Sequence, residues 1–295
     1  MPLLFFDATW LVTMGWLSPV WAMARRLLID IVDQLRNCEL QFEVSPDGLM
    51  TNSRIETVET YIRRHREHKL FADRQTLIAE YRRVLNLARY AITETPQAAL
   101  SCAEHILQRD DTDAGKRLRN KLDFQGIWGT VHKPASLHPK MAKLIGIAQQ
   151  IAGQKTLVLC TTRAGANELA STLMPYAAQV FQLHGGSKRF ESQFRDFSVV
   201  QSNAIAVATA THEGKLGIVV DTIIHYNLLT PDLQYIRGLT PLPRKQSLLI
   251  AVDHPLDLGR NFHRPEMSPR IRGTTPPKRR RRQKDELTGD LFPGS

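Results

Sequence analysis

The segment IAVATATHEGKLGIVVD, residues 205–221, joins a short apolar run to a polar loop and then returns to apolar residues. Residues 204–208 are continuously apolar, which is typical of a strand covered on both faces in a parallel sheet. The loop that follows reads Thr-x-Thr-x-Glu-Gly, beginning at Thr209. Hydroxyl side chains and a glycine allow a backbone to approach phosphate groups closely. The segment therefore predicts a buried parallel strand that ends in a candidate phosphate-binding loop.

Strands and helices alternate on both sides of this segment. A helix is predicted from Pro139, with an apolar stripe that stops at Gly153, and two further helices separate the later strands. The predicted strands cover residues 156–160, 178–183, 204–208, 222–226 and 247–252. A βαβ succession implies a parallel sheet with helices on both faces.

The first half of the chain shows helical periodicity and no strand pattern. Helices are predicted over residues 17–35, 54–67 and 73–92, then from Pro96, and finally from near Thr112 to just before Gly126. The predicted fold class is therefore α/β. An all-helical unit over residues 17–137 precedes one parallel-sheet domain over residues 138–260.

The basic character of the chain is concentrated near its end. The 295 residues carry a net charge of +10, but eight basic residues and no acid lie between Arg270 and Lys284, which leaves about +2 for the rest. Residues 261–295 lack periodicity and are rich in Pro, Gly and Arg, so a disordered tail is expected. Its run of bases predicts non-specific phosphate binding or, in a eukaryote, nuclear import. These residues are Lys278, Arg279, Arg280, Arg281 and Arg282.

The N-terminal segment is apolar but does not resemble a targeting signal. Residues 8–24 contain no charge, and the only earlier charge is Asp7, whereas a signal peptide begins with basic residues. A membrane span needs about 20 apolar residues, and a Gly-Trp-Leu-Ser-Pro sequence interrupts this one. Residues 1–16 are assigned as an apolar N-terminal segment, and residues 8–24 are expected to pack on the protein or to be the remnant of a linker. No membrane association is expected, and the predicted location is the cytoplasm or nucleoid, or the nucleus in a eukaryote.

The cysteines do not predict a metal site. Cys38, Cys102 and Cys160 are far apart, and no Cys/His spacing resembles that of a zinc site. Inert thiols in a reducing compartment are expected.

Four predicted loops meet at the carboxyl edge of the sheet, where ligands bind in open α/β folds. Each is rich in small, hydroxyl or basic residues, and each alone could be ordinary turn chemistry. The loops are Thr161-Thr162-Arg163, His184-Gly185-Gly186 and residues 209–214 and 229–244. Their common location favours a binding edge.

Five motifs in sequence order resemble the second RecA-like domain of a superfamily 2 helicase. They are His-Pro-Lys-Met-x-Lys-Leu from His138, Thr-Leu-Val-Leu-Cys-Thr-Thr-Arg from Thr156, His-Gly-Gly from His184, Ala-Thr-Ala-Thr-His-Glu-Gly from Ala208 and Gln-Tyr-Ile-Arg-Gly-Leu-Thr from Gln234. The order is most similar to the archaeal Hef and Fanconi-anaemia M-type branch, which acts on forked and branched DNA. That branch carries a helical insert that ends just before His-Pro-Lys-Met, and residues 17–137 resemble this insert.

The resemblance implies that the strand-end loops contact the phosphates of one nucleic-acid strand. The matching positions are Thr161, Arg163, His184, Gly185, Thr209 and Thr211. Contacts of this kind position a strand without reading its sequence. Alternatively, the hydroxyl groups only cap helices, as Thr161 or Thr162 would do in any α/β fold.

The resemblance also implies what the chain lacks for ATP hydrolysis. There is no Gly-x-x-x-x-Gly-Lys-Ser/Thr loop and no Asp-Glu box after an apolar strand. Both arginines of the last family motif are out of register, and the acid expected after Glu-Gly is missing. The remnants on the nucleotide side are Glu213, Gly214, Gln234, Arg237 and Arg244. No catalytic residue and no intrinsic cofactor are predicted. ATP and magnesium would be needed only if a partner supplied the first RecA-like domain.

The sequence therefore predicts a DNA-binding protein of the helicase C-terminal type, with forked, branched or single-stranded DNA as its partner and no unwinding of its own. Two alternatives stay open. The chain is one half of a split helicase that works with a separate helicase or nuclease subunit, or it is a scaffold that docks a DNA repair partner.

Overall fold

The computed structural model describes residues 6–11, 17–40, 52–132, 137–184, 189–209, 219–227 and 246–252, together with His254 and Leu256. Within these residues the chain forms a helical unit and a six-stranded sheet. No described helix combines the length and the apolar character that crossing a bilayer requires.

The sheet is parallel throughout its described strands. These are β1 (Phe6–Leu11), β2 (Lys155–Cys160), β3 (Gln179–Leu183), β4 (Ala204–Thr209), β5 (Thr222–His225) and β6 (Gln246–Val252). Their order across the sheet is β1-β6-β5-β2-β4-β3. The five strands predicted from the sequence are confirmed, and continuous apolar runs marked β2 and β4 among them.

Strand β1 was not predicted. It pairs in parallel with β6, from Phe6 opposite Ser247 to Leu11 opposite Val252, and forms one edge of the sheet. The expected linker over residues 8–24 is therefore replaced, where the structure describes it, by a strand and the start of a helix. The six residues Phe-Asp-Ala-Thr-Trp-Leu do not reveal their own secondary structure, because only pairing with a distant strand decides it. The helical unit is thus an insertion between β1 and the rest of the sheet.

The helical unit contains six α-helices and a short π-helix. They are α1 (Leu17–Asn37), α2 (Asn52–Arg64), α3 (Phe71–Thr93), α4 (Pro96–Glu104), the π-helix His105–Arg109, α5 (Asp113–Arg119) and α6 (Leu122–His132). Their shared core contains fully buried Leu28, Ile31, Tyr81 and Phe124. The described part of residues 17–137 is all-helical, as predicted.

The helix predicted from near Thr112 to Gly126 is in fact two helices. Helix α5 ends at Arg119, and α6 continues through Gly126 to His132. Gly126 lies inside α6 and faces α1, where a Cβ at this position would lie 2.6 Å from the sulfur of Met23. The glycine was interpreted as a terminator when it is a contact point between helices.

Three helices cover the two faces of the sheet. They are α7 (Pro139–Gln150), α8 (Arg163–Leu173) and α9 (Phe190–Val199). Val158 and Cys160 of β2 share a buried cluster with α7 and α8, whereas Leu157 and Leu159 share one with Phe197 of α9. This alternation confirms helices on both faces.

Buried polar residues join the helical unit to the sheet domain, and we call this group the seam. It consists of Thr93, Glu94, Thr95, His138, Lys140 and Asn227, all buried. The Asn227 amide nitrogen donates to the Thr93 carbonyl at 3.1 Å. His138 caps α7 by accepting from the Lys140 amide at 3.1 Å, with Pro139 in the first turn as predicted. The seam fixes the end of α3 against α7 and α8.

Candidate nucleic-acid interface

Three neighbouring strands bring the predicted contact residues to one edge of the sheet. Cys160 at the end of β2 lies opposite Thr209 at the end of β4. Leu183 at the end of β3 lies opposite Ala208, one residue before Thr209. The parallel register therefore places Thr161, His184 and Thr209 side by side, although they are far apart in sequence.

The loop after β2 leads directly into α8. The Thr162 hydroxyl accepts a hydrogen bond from the Gly165 amide at 3.0 Å and caps the helix. Of the two candidate capping residues, Thr162 is therefore the one that caps. Gly165 is required at this close approach, since a Cβ on it would lie 2.8 Å from the Thr162 hydroxyl oxygen.

Arg163 is the exposed cation of this edge. It is the first residue of α8, and its side chain makes no hydrogen bond or ion pair with any described residue. The amino end of a helix carries partial positive charge and amide groups that lack intrahelical partners. Arg163 adds a full charge at that point, so the start of α8 favours an anion.

Thr161 sits behind this cation. The residue is half-buried, and its hydroxyl oxygen is out of contact with solvent and without a hydrogen-bond partner in the described structure. A buried hydroxyl group without a partner is unfavourable by about 1–3 kcal/mol. The loop therefore holds one polar group that a ligand or a water molecule would satisfy.

His184 and Thr209 are more enclosed. Their residues are only 7% and 5% exposed. The His184 Nε2 atom lies 2.8 Å from the side-chain oxygen Oδ1 of Asn167 on α8, which ties the end of β3 to that helix. Little surface of either residue reaches solvent, so their expected contact with phosphate stays a prediction. Asn167 was not predicted, because an exposed helical asparagine carries no signal of its own.

The remaining predicted residues fall outside the described part of the chain. They are Gly185, Thr211, Glu213, Gly214, Gln234, Arg237, Arg244 and the tail residues Lys278, Arg279, Arg280, Arg281 and Arg282. Their proposed roles stay predictions.

Cys160 lies beneath the edge and is chemically quiet. Burial raises the pKa of its thiol, and the nearby Glu94 raises that pKa further. The protonated thiol donates toward the Ala208 and Thr162 carbonyl groups, at 3.6 and 3.5 Å. A neutral, enclosed thiol is a poor nucleophile. Among the described residues, no group of three His, Cys, Asp or Glu side chains could hold a metal ion.

A cleft of about 590 Å³ opens beside Arg163. One wall is formed by Thr162, Arg163 and Ala164 at the start of α8, and the other by α3, α4 and the π-helix of the helical unit. The sequence did not indicate this cleft, because its helical side chains look like an ordinary solvent-facing surface until the two units are docked.

Comparison with solved structures shows the fold. The chain is similar to the Hef helicase domain of Pyrococcus furiosus, with a TM-score of 0.64 and 16% sequence identity over 88% of this chain and 57% of that chain. It therefore spans little more than half the length of that domain. The C-terminal part of the Fun30 ATPase domain matches with a TM-score of 0.48 and 9% identity over 89% of each chain. Domain 2 of the Mss116p DEAD-box helicase, bound to an RNA duplex, matches with a TM-score of 0.36 and 15% identity over 45% of this chain and 55% of that chain.

No protein-family model matches the sequence, and no curated protein matches it either. The likeness to the Hef domain nevertheless confirms the predicted α/β fold with a parallel, RecA-like sheet.

Proposed function

We propose that this chain, with its helicase C-terminal-like fold, binds nucleic acid at the carboxyl edge of the sheet and does not hydrolyse ATP unaided. The observation that carries the proposal is the joint placement of three strand ends beside Arg163 at the start of α8, which is exposed and unpaired among the described residues. The ligand that suits this edge is the phosphate backbone of a DNA strand, single-stranded or at a fork or branch.

The chemistry of the edge suits phosphate. Amide groups at the start of a helix bind anions, and an arginine beside them adds charge and directional donors. The Thr161 hydroxyl group supplies a further donor without a partner. These groups recognise a backbone and leave the bases unread, so binding is expected to be independent of sequence and sensitive to salt.

Hydrolysis of ATP needs groups that this sequence lacks. The lysine that holds the β- and γ-phosphates, and the acid that holds magnesium, belong to motifs that are absent from the chain. An arginine finger contributes about 10³-fold or more to the rate, and both family arginines are out of register here.

A second candidate function is one half of a split helicase. It is favoured by the finding that the chain spans 57% of the Hef helicase domain. ATP and magnesium would then be bound with a separate subunit. Mixing the two proteins with DNA and measuring phosphate release tests this candidate, and a DNA-stimulated rate would establish it over autonomous binding.

The proposal is tested by fluorescence anisotropy with labelled forked, single-stranded and duplex DNA. Arg163→Ala is expected to weaken binding. The matched control is Arg195→Ala on α9, an exposed arginine on the opposite face of the sheet. Deleting residues 270–295 is expected to weaken binding without abolishing it. If that deletion removes all binding and Arg163→Ala changes nothing, the tail alone binds DNA and the proposal fails. Failure of the full chain to bind any nucleic acid favours the docking scaffold.

A further inference from the structure

The cleft beside Arg163 has a size and position that the proposed backbone contact does not explain. Its volume of about 590 Å³ lies within the range of roughly 300–1,000 Å³ that small-molecule sites occupy. A phosphate alone would leave most of this space empty. The cleft also extends away from the strand ends toward α3 and α4, over a wall that belongs to the helical unit.

The wall formed by the helical unit presents polar side chains with no partner. Asn86, Ser101 and His105 are exposed, line the cleft and make no side-chain hydrogen bond with any described residue. Each can both donate and accept hydrogen bonds. With Arg163 opposite them, the cleft offers one unpaired cation and several unused donors and acceptors.

The charged pair at the same cleft shows a different arrangement. Arg83 and Asp110 also line it, but they form a salt bridge with each other. Arg83 further donates to the Thr112 hydroxyl at 3.1 Å. Because Arg83 and Asp110 neutralise each other, Arg163 is the lining cation whose charge is available to a ligand.

A π-helix shapes the wall. His105–Arg109 is the one π-helix within the described residues, and its first two residues, His105 and Ile106, line the cleft. A π-helix is less favourable than a continuous α-helix and occurs frequently at functional sites. Here it takes the place of a further turn of α4, at the point where His105 and Ile106 line the cleft.

We propose that this cleft receives one unpaired nucleotide of the bound strand. The inference rests on the proposed function, because the same strand must run from the sheet edge past Arg163. Arg163 binds the phosphate. The half-buried Tyr90 lines the cleft, and its ring, which has the Arg89 guanidinium 5.3 Å from its centroid, offers its remaining surface for stacking. Asn86, Ser101 and His105 bind the polar edge of the base. Stacking on an aromatic side chain is tolerant of base identity, so any unpaired base is accepted.

The test is photocrosslinking of the full chain to an oligonucleotide that contains 5-iodouracil, followed by mass spectrometry of the adducts. The expected adduct is on Tyr90. Tyr61, an exposed tyrosine on α2 outside the cleft, is the internal control and should stay unmodified. A parallel arm uses free 5-iodouridine monophosphate at the same nucleotide concentration, because a free nucleotide carries the same base and phosphate.

A blocking variant makes the result specific. Ser101→Trp fills the mouth of the cleft and should reduce the Tyr90 adduct and weaken single-strand affinity about 5- to 150-fold, the usual worth of one stacked base. Ser171→Trp, an exposed serine on α8 outside the cleft, should leave both unchanged.

The other possible results contradict either the role of the cleft alone or the proposed function as well. If anisotropy shows strand binding but Tyr90 is not modified, or Ser101→Trp has no effect, the cleft does not take a base while the proposed function stands. If only the free nucleotide modifies Tyr90, the cleft is a mononucleotide site and not part of a strand path. If the chain binds no strand, the proposed function and this inference fall together.

Discussion

The seam and the cleft both border α8, but their polar side chains differ in burial and in hydrogen bonding. In the seam, buried Asn227 donates a hydrogen bond to Thr93 across the two units, and buried His138 accepts one from the Lys140 amide and caps α7. In the cleft, Asn86, His105 and Arg163 are exposed and unpaired with any described residue. A buried polar group with a partner fixes geometry, whereas an exposed group without one is available to a ligand. Residue type alone does not distinguish the two regions, but burial and pairing do.

The largest expected effect lies in the seam and depends on pH. Burial lowers the pKa of His138 to about 3, with a further contribution from the Lys140 charge. Because an unfolded histidine has a pKa of about 6.5, the unfolded chain binds a proton between pH 6.5 and 3 that the native chain does not. Stability should therefore fall as the pH drops below about 6.5, by about 2 kcal/mol from this residue at pH 5 and about 4 kcal/mol at pH 3.5.

Urea unfolding of His138→Asn across this range checks the prediction. Asparagine keeps a side-chain acceptor to cap α7 but cannot titrate. The difference in unfolding free energy between the two proteins should change in favour of the variant as the pH is lowered. Parallel curves for the two proteins would show that His138 does not carry the dependence.

The next largest effect is expected for a substitution at Gly165, which lies between the seam and Arg163. Gly165→Ala places a Cβ 2.8 Å from the Thr162 hydroxyl and 3.5 Å from Glu94 and Thr95 of the seam. Overpacking of this kind costs about 1–3 kcal/mol of stability. It should also weaken DNA binding, since Arg163 follows Thr162 directly.

The matched control is Gly146→Ala on α7, where the space around the new Cβ is open. That change should stabilise the protein by about 0.5–1 kcal/mol, as alanine does in a helix. Thermal unfolding of both variants measures the contrast. Equal shifts in melting temperature would show that the contact at Gly165 relaxes without loss.

Two asparagines give a smaller and sharper comparison. Asn227→Ala removes the buried hydrogen bond to the Thr93 carbonyl and should lower the unfolding free energy by about 1 kcal/mol. Asn86→Ala should change that free energy by less than about 0.5 kcal/mol, because its amide has no protein partner to lose. Denaturant unfolding measures both. A larger loss of unfolding free energy for Asn86→Ala than for Asn227→Ala would show that the cleft residue, and not the seam residue, holds the stabilising hydrogen bond.

The smallest expected effect is electrostatic. Each phosphate that a cation neutralises on single-stranded DNA contributes about 0.7 to the slope of log affinity against log salt. Arg163→Ala should therefore reduce that slope by about 0.7, and Arg195→Ala should leave it unchanged. Anisotropy titrations at several salt concentrations measure the slope. An unchanged slope for Arg163→Ala would remove Arg163 from the phosphate path.

The elements that the sequence predicted correctly are those whose conformation is determined by residues close to them in the chain. Continuous apolar runs marked β2 and β4, and His138 with Pro139 marked the start of α7. Strand β1 was missed because its assignment depends on β6, at the other end of the chain. Gly126 was misread because its role is set by Met23 on another helix.

The same limit applies to the candidate site. Thr161, Arg163, His184 and Thr209 could be named because each follows an apolar strand and resembles a family motif. Asn86, Ser101 and His105 could not, since exposed polar residues on a helix carry no signal before the helix is docked. The cleft exists only because the seam holds α3 and α4 against α8.

The pairing of β1 with β6 also has a consequence for how this chain folds. Phe6 and Ser247 are about 240 residues apart. Pairing them closes a long loop at a large cost in chain entropy, so this pairing is expected to form late in folding. Because about 240 residues separate the two strands, β1 is synthesised well before its partner. The helical unit can become compact first through its local contacts. The β1 segment must meanwhile stay unpaired, and an apolar strand in that state is exposed to chaperones and to aggregation until the sheet is complete.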